Sequence, residues 1–153
     1  MHTSKVTRGV LILFAGLALL AGCGDRDTIA RRTPKATAKA FLRAMKAEEY
    51  DKVVAGCAVE RGAHAMHPDW AAMSESEKGA AIAEARDLCA KWARSMHSDF
   101  AHKEVTIGTI DRHAGTLYVE FKMKNAGHLY VGMVREDEGW KLTGGCFGGG
   151  LSQ

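Results

Sequence analysis

The sequence has no apolar run long enough to cross a bilayer. Its one extended run, residues 9–20 (GVLILFAGLALL), has 12 residues, whereas a spanning helix needs about 20. An excess of charge of one sign is also missing. The 153 residues carry 21 lysines and arginines against 18 acids, and two of those bases, Lys5 and Arg8, precede the apolar run. That balance gives no basic face to argue from, so nucleic acid has no support as a partner. A metal-ligand set is lacking as well. His64 and His67 (HAMHPDW) have HxxH spacing, and with Met66 and Met73 they offer ligands that suit copper. But the spacing needs a helix to bring both rings to one face, and Pro68 follows directly. No cysteine or carboxylate pattern completes a shell, so these are read as exposed loop histidines, and neither metal nor cofactor is implied. Glycines 144, 145, 148, 149 and 150 are followed by no helix and include no lysine, so they do not make a phosphate loop. Residues 144–153 read as a glycine-rich tail.

What is present at the start is more specific. Residues 1–8 are polar, with Lys5 and Arg8 as positive charges. The apolar run follows, then the small pair Ala21-Gly22. This three-part layout is that of an export signal. Leu20-Ala21-Gly22-Cys23 resembles the lipobox of bacterial lipoproteins. The resemblance implies a diacylglycerol on the Cys23 thiol and cleavage before it, so that residues 1–22 are a signal peptide. Acyl chains bury methylenes at about 0.8 kcal/mol each, which makes a membrane anchor without a membrane crossing. Gly24 follows the cysteine where an aspartate would suggest inner-membrane retention in enteric bacteria. The expected location is the periplasmic side of the envelope, with the outer membrane favoured. Residues 23–32 are expected to form a lipidated tether. Arg31, Arg32 and Lys35 near it can touch anionic headgroups or be solvated.

Removing residues 1–22 leaves 131 of 153 residues, enough for one domain. With Cys23 lipidated, Cys57, Cys89 and Cys146 remain in an oxidising compartment, an odd number. Cys57 and Cys89 fall on apolar helix faces, where a thiol can pack as a small hydrophobe. Cys146 lies in the tail, so it is expected to be paired. Cys57, near a helix end, is favoured as its partner, with Cys89 as the alternative.

Periodicity divides the domain in two. Thr33-Pro34 starts a helix, with threonine as N-cap and proline at the first position. Ala38, Phe41, Leu42 and Met45 give it an apolar face. Tyr50, Val53, Val54 and Cys57 mark a second helix over residues 50–58. Residues 59–73 show no clean period and read as a connector. Ser74 and Glu77 form a capping box. Ile82, Ala85, Cys89, Trp92 and Met96 then recur at spacings of three and four to about His97. After Asp99 the period becomes two. Val105 and Ile107, then Leu117, Val119, Phe121 and Met123, then Leu129, Val131 and Met133, then Trp140 and Leu142 alternate with polar residues. Turns near Gly115, Gly127 and Gly139 join them. The expected fold class is α+β, with three N-terminal helices packed on a curved four-stranded antiparallel meander over residues 33–143.

The run TPKATAKAFLRAMKAEEYDKVV and the closing YVGMVREDEGWKL resemble small exported lipoproteins of the nuclear-transport-factor-two-like superfamily. The likeness is to a subgroup that is a domain of unknown function. The resemblance covers residues 34–143 and implies a helix-lined cone on a bent sheet. It does not choose a chemistry, since that superfamily holds isomerases, dehydratases and binding domains. The polar residues it places nearest such a cone are Tyr50, Asp51, His128 and Tyr130, none aligned to a catalytic pattern. The reading that follows is a non-catalytic, membrane-anchored domain that binds a small hydrophobic ligand or an envelope protein. The alternative is a small isomerase-like or dehydratase-like enzyme.

Overall fold

The computed structural model describes residues 28–143. The expected signal, Cys23, the first part of the expected tether and residues 144–153 with Cys146 lie outside the described residues. Five helices precede a four-stranded antiparallel sheet, an α+β arrangement. No helix among the described residues is long and apolar enough to cross a membrane.

Helix α1 (Pro34–Lys46) begins where the threonine-proline pair predicts. The Thr33 hydroxyl accepts the Ala36 N–H at 3.2 Å, and Pro34 occupies a position whose N–H would have no helical partner. Helix α2 (Tyr50–Ala55) is shorter than expected, stopping before Gly56. Helix α3 (Val59–Met66) replaces the expected connector. Its fully buried positions are Gly62 and Ala63, with Val59 and Met66 partly buried on the same face. It forms because those small residues let it pack closely on Ala81 and Ala85 of helix α4 (Glu75–Ser95). Pro68 explains its end, since His67 before it is forced towards extended backbone, with φ −120 and ψ 92.

The capping box forms as read. Ser74 accepts from the Glu77 N–H at 3.3 Å, and the Glu77 carboxylate takes the Ser74 N–H at 2.7 Å. Helix α4 breaks two residues before the expected end, where the Ser95 hydroxyl donates to the Trp92 carbonyl at 2.8 Å. A short helix α5 (His97–Ala101) then carries Phe100 into the core.

Strands β1 (Val105–His113), β2 (Thr116–Met123), β3 (Gly127–Glu136) and β4 (Gly139–Leu142) pair in sequence order. The loop between β1 and β2 is two residues, Ala114 and Gly115, both with positive φ (47 and 84). That is the primed turn that suits the strand twist. The helix-facing sides of β2 and β3 place Val119, Phe121, Val131 and Met133 at zero exposure. Phe41 of α1 meets Phe121 and Phe100 edge-on at 5.3 and 5.2 Å and stacks on Trp92 at 5.9 Å. These rings fill the centre between helices and sheet.

The tether ends sooner than residue 32. Ile29 and Ala30 are buried, at 1% and 6% exposure. The Ile29 N–H donates to the Lys52 carbonyl at 3.2 Å, and the Trp140 N–H to the Arg31 carbonyl at 2.8 Å. The buried Thr37 hydroxyl receives the Arg31 N–H at 3.0 Å. A lone apolar pair in a polar stretch gives no period, so only its docking site reveals it.

Candidate functional site

The face of the sheet away from Phe41 holds an unusual buried acid. Glu120 alternates with Val119 and Phe121 on β2, so it points to the polar side, yet it is only 5% exposed. Strand pairing explains this. Ile107 pairs with Phe121 and Ile110 with Val119, so Gly108 and Thr109 together oppose Glu120 in a β-bulge. The bulge turns the Thr109 N–H onto a Glu120 carboxylate oxygen at 2.9 Å, and the Thr109 hydroxyl reaches the same oxygen at 3.2 Å.

Across the sheet, Tyr130 pairs directly with Glu120, and His128 sits diagonally, opposite Lys122. Tyr130 donates its hydroxyl to the other carboxylate oxygen at 3.4 Å, His128 Nδ1 makes a short contact with that same oxygen, and the Lys122 ammonium lies 3.6 Å from the oxygen that Thr109 binds. Glycine is required at 108, because a Cβ there would sit 2.1 Å from Glu120 Oε2 and 2.7 Å from Lys122 Cε.

The Thr109 N–H first, then His128, with further help from Lys122 and the Thr109 hydroxyl, hold the Glu120 carboxyl down at about 2, against the opposing effect of burial. An ionised carboxylate only accepts, so His128 must present Nδ1–H to it. Such a pair can orient an imidazole. Glu120 itself is too weak a base for proton abstraction, which calls for a carboxylate raised towards neutrality.

The sign of the pH effect follows. The folded-state value lies below the ordinary 4.5, so the stabilisation is complete above that value and is lost as pH falls from there through about 2. Glu120→Gln is expected to flatten that part of the acid-unfolding profile. Gly108→Ala is expected to do the same by displacing the carboxylate. Thermal midpoints recorded across this window check both. An unchanged acid limb in both variants would contradict the assignment.

The four residues expected near a cone do not come together. His128 and Tyr130 share the open face with Glu120, whereas Tyr50 and Asp51 lie on α2. The Tyr50 ring meets His97 edge-on at 5.9 Å. Burial and then Glu48 raise its phenol above the usual value, against an opposing effect of Arg94. His97 Nδ1 is buried without a hydrogen-bond partner in the described structure. Asp51 lines a cleft of about 570 Å³ with Arg86 and Lys141. An adjoining cleft of about 700 Å³ contains Glu60, His64, Trp70 and Glu138. Lys141 bridges the two clefts. Its burial works against the charged form, but Glu138 and Glu136 outweigh it and raise the ammonium.

His64 packs edge-on against Trp70 at 5.6 Å. Among the described residues, no group of three or more histidine, cysteine or acidic side chains gathers as a metal site. Cys57 and Cys89 are both buried. Glu120 was missed by sequence reasoning because alternation marks it as a solvent-facing residue. The available signal was the glycine inside β1, a common mark of a bulge. Comparison with family models, with curated proteins and with solved structures finds no match for this chain.

Proposed function

We propose that this chain is an envelope lipoprotein, tethered through Cys23, whose domain binds an envelope protein without catalysis through the open face of its sheet. The observation that carries this reading is the Glu120 cluster. A carboxylate locked by five contacts shapes a surface on which Tyr130 is 51% exposed. Tyrosine offers a rigid contact with little entropy to lose, which suits a binding face. A hydrophobic ligand or an isomerase-like reaction needs space inside the cone, and the Phe41, Phe100 and Phe121 rings occupy that centre. The helices packed on a bent sheet are compatible with the nuclear-transport-factor-two-like resemblance.

Complementation of a deletion strain tests the binding reading, with protein levels checked. Tyr50→Phe removes only a hydroxyl and is expected to complement fully. Tyr130→Arg is expected to fold and fail, because it replaces the exposed ring while the Thr109, His128 and Lys122 contacts still hold Glu120. Loss of a general acid or base would cost a factor of about 100 to 10,000, so a dead, fully expressed Tyr50→Phe would favour the enzyme. Normal function of Tyr130→Arg would exclude this face.

We further propose that Cys146 pairs with Cys57, with Cys89 as the alternative. The Ala58 N–H donates to the Leu142 carbonyl at 2.8 Å, and the Leu142 N–H to the Gly56 carbonyl at 2.9 Å. Cys57 is thus held beside Leu142, and Cys146 follows four residues later. Four residues span up to about 14 Å, which is enough to bring residue 146 within reach of Cys57. Non-reducing peptide mapping is expected to recover a Cys57–Cys146 peptide. A Cys89–Cys146 peptide would overturn the assignment.

A further inference from the structure

Helix α1 carries a second surface that the binding reading does not use. Lys35, Lys39, Arg43 and Lys46 are all exposed, and their spacings of four, four and three place them on one arc of the helix. Thr37, Ala38, Phe41, Ala44 and Met45 are buried on the other side. Arg32, exposed just before the N-cap, extends the row. No acid occurs between residues 28 and 47, and none of these five bases joins an ion pair among the described residues. The nearest acids follow the helix: Glu48 lies 3.6 Å from His97, and Glu49 is paired with Lys52 at 2.6 Å. Without residues 1–22 the chain carries 19 bases against 18 acids. The row is therefore concentrated by placement, not by composition.

The position of the row relative to Cys23 gives it a partner. Backbone bonds from Ile29 and Arg31 fix the chain from that point, so only residues 24–28 separate Cys23 from the folded domain. Five extended residues reach about 17 Å, which is close to the radius of gyration of about 13 Å for a domain of this size. The leash contains Asp25, Arg26 and Asp27, one net negative charge that does not cancel the row.

We propose that the basic row of α1 rests on anionic phospholipid headgroups of the leaflet that holds the Cys23 acyl chains. This fixes which face of the domain turns away from the membrane. The proposal rests on the lipid-anchor reading. Each lysine or arginine near such a surface contributes about a fivefold gain in partitioning without needing a pocket. The gain fades as the Debye length shrinks to about 3 Å in 1 M salt.

The test uses the acylated mature protein in phosphatidylcholine vesicles, with or without about one third phosphatidylglycerol. Amine-reactive labelling of Lys35, Lys39 and Lys46 is read by peptide mass spectrometry. Lys124, on the turn at the far end of β3 from the β4 turn, is the reference. Labelling of the three lysines is expected to fall about fivefold in the anionic vesicles only. It should recover in about 1 M salt and in the double variant Arg32→Glu, Arg43→Glu. Equal labelling in both vesicles, with the protein bound to both, would overturn the proposal and leave the anchor intact. Equal protection in both would also overturn it, since the leash alone would then cause the shielding. Protein that carries no acyl mass and binds neither vesicle would remove the anchor reading and this proposal together.

Discussion

Phe41→Ala is expected to destabilise the domain by about 3–5 kcal/mol, the cost of a large cavity in a closed core. The ring is fully buried and is the common partner of Trp92, Phe100 and Phe121, which come from α4, α5 and β2. Its removal therefore weakens the junction between helices and sheet in three directions. Domains of this size have only about 5–15 kcal/mol to lose, so the variant should unfold at much lower urea. Tyr130→Ala, on the open face, should cost less than about 1 kcal/mol, because it leaves no internal void. Urea midpoints for the pair measure the contrast. Comparable losses at both positions would mean that the Phe41 cluster is not the centre of the core.

Cys23→Ser is expected to abolish lipid anchoring and leave an uncleaved or soluble form. Serine offers no thiol for the acyl group, so the peptidase that acts on the lipidated cysteine has no substrate and residues 1–22 stay attached. Wild-type protein should partition into detergent with a shortened chain. Each acyl chain contributes about 0.8 kcal/mol per buried methylene, so two or more chains hold the protein effectively completely on the membrane. A variant cleaved at the same place as wild type, with a wild type that carries no acyl mass, would reveal an ordinary export signal whose cleavage site happens to precede a cysteine.

The legible parts of the fold were those where local chemistry and burial agree. Thr33-Pro34 and Ser74 with Glu77 cap helices whose apolar faces are large, and both caps form with the bonds their side chains predict. The apolar residues of β2 and β3 alternate in the sequence, and tight turns fix the order of the four strands. Helix α3 was hard to read because its fully buried positions are glycine and alanine, and only Val59 and Met66 at its two ends add apolar area. Ile29 was missed for a related reason, since one buried residue has no period. The candidate site was half legible. His128 and Tyr130 stood out as polar residues on one strand, but Glu120 was hidden by its own regular alternation. What buries it is a bulge opposite, so its character belongs to the pairing of two strands and not to either one. Tyr50 and Asp51 failed to join them because α2 lies on the helical side, across the aromatic core.

The most direct measurement of the central claim is the intact mass of the wild-type protein purified from the membranes of its native host. The account predicts a chain that begins at Cys23 and carries the added mass of acyl chains, removable by ester hydrolysis. A chain that begins at any other residue, or one that begins at Cys23 with no added mass, would contradict it.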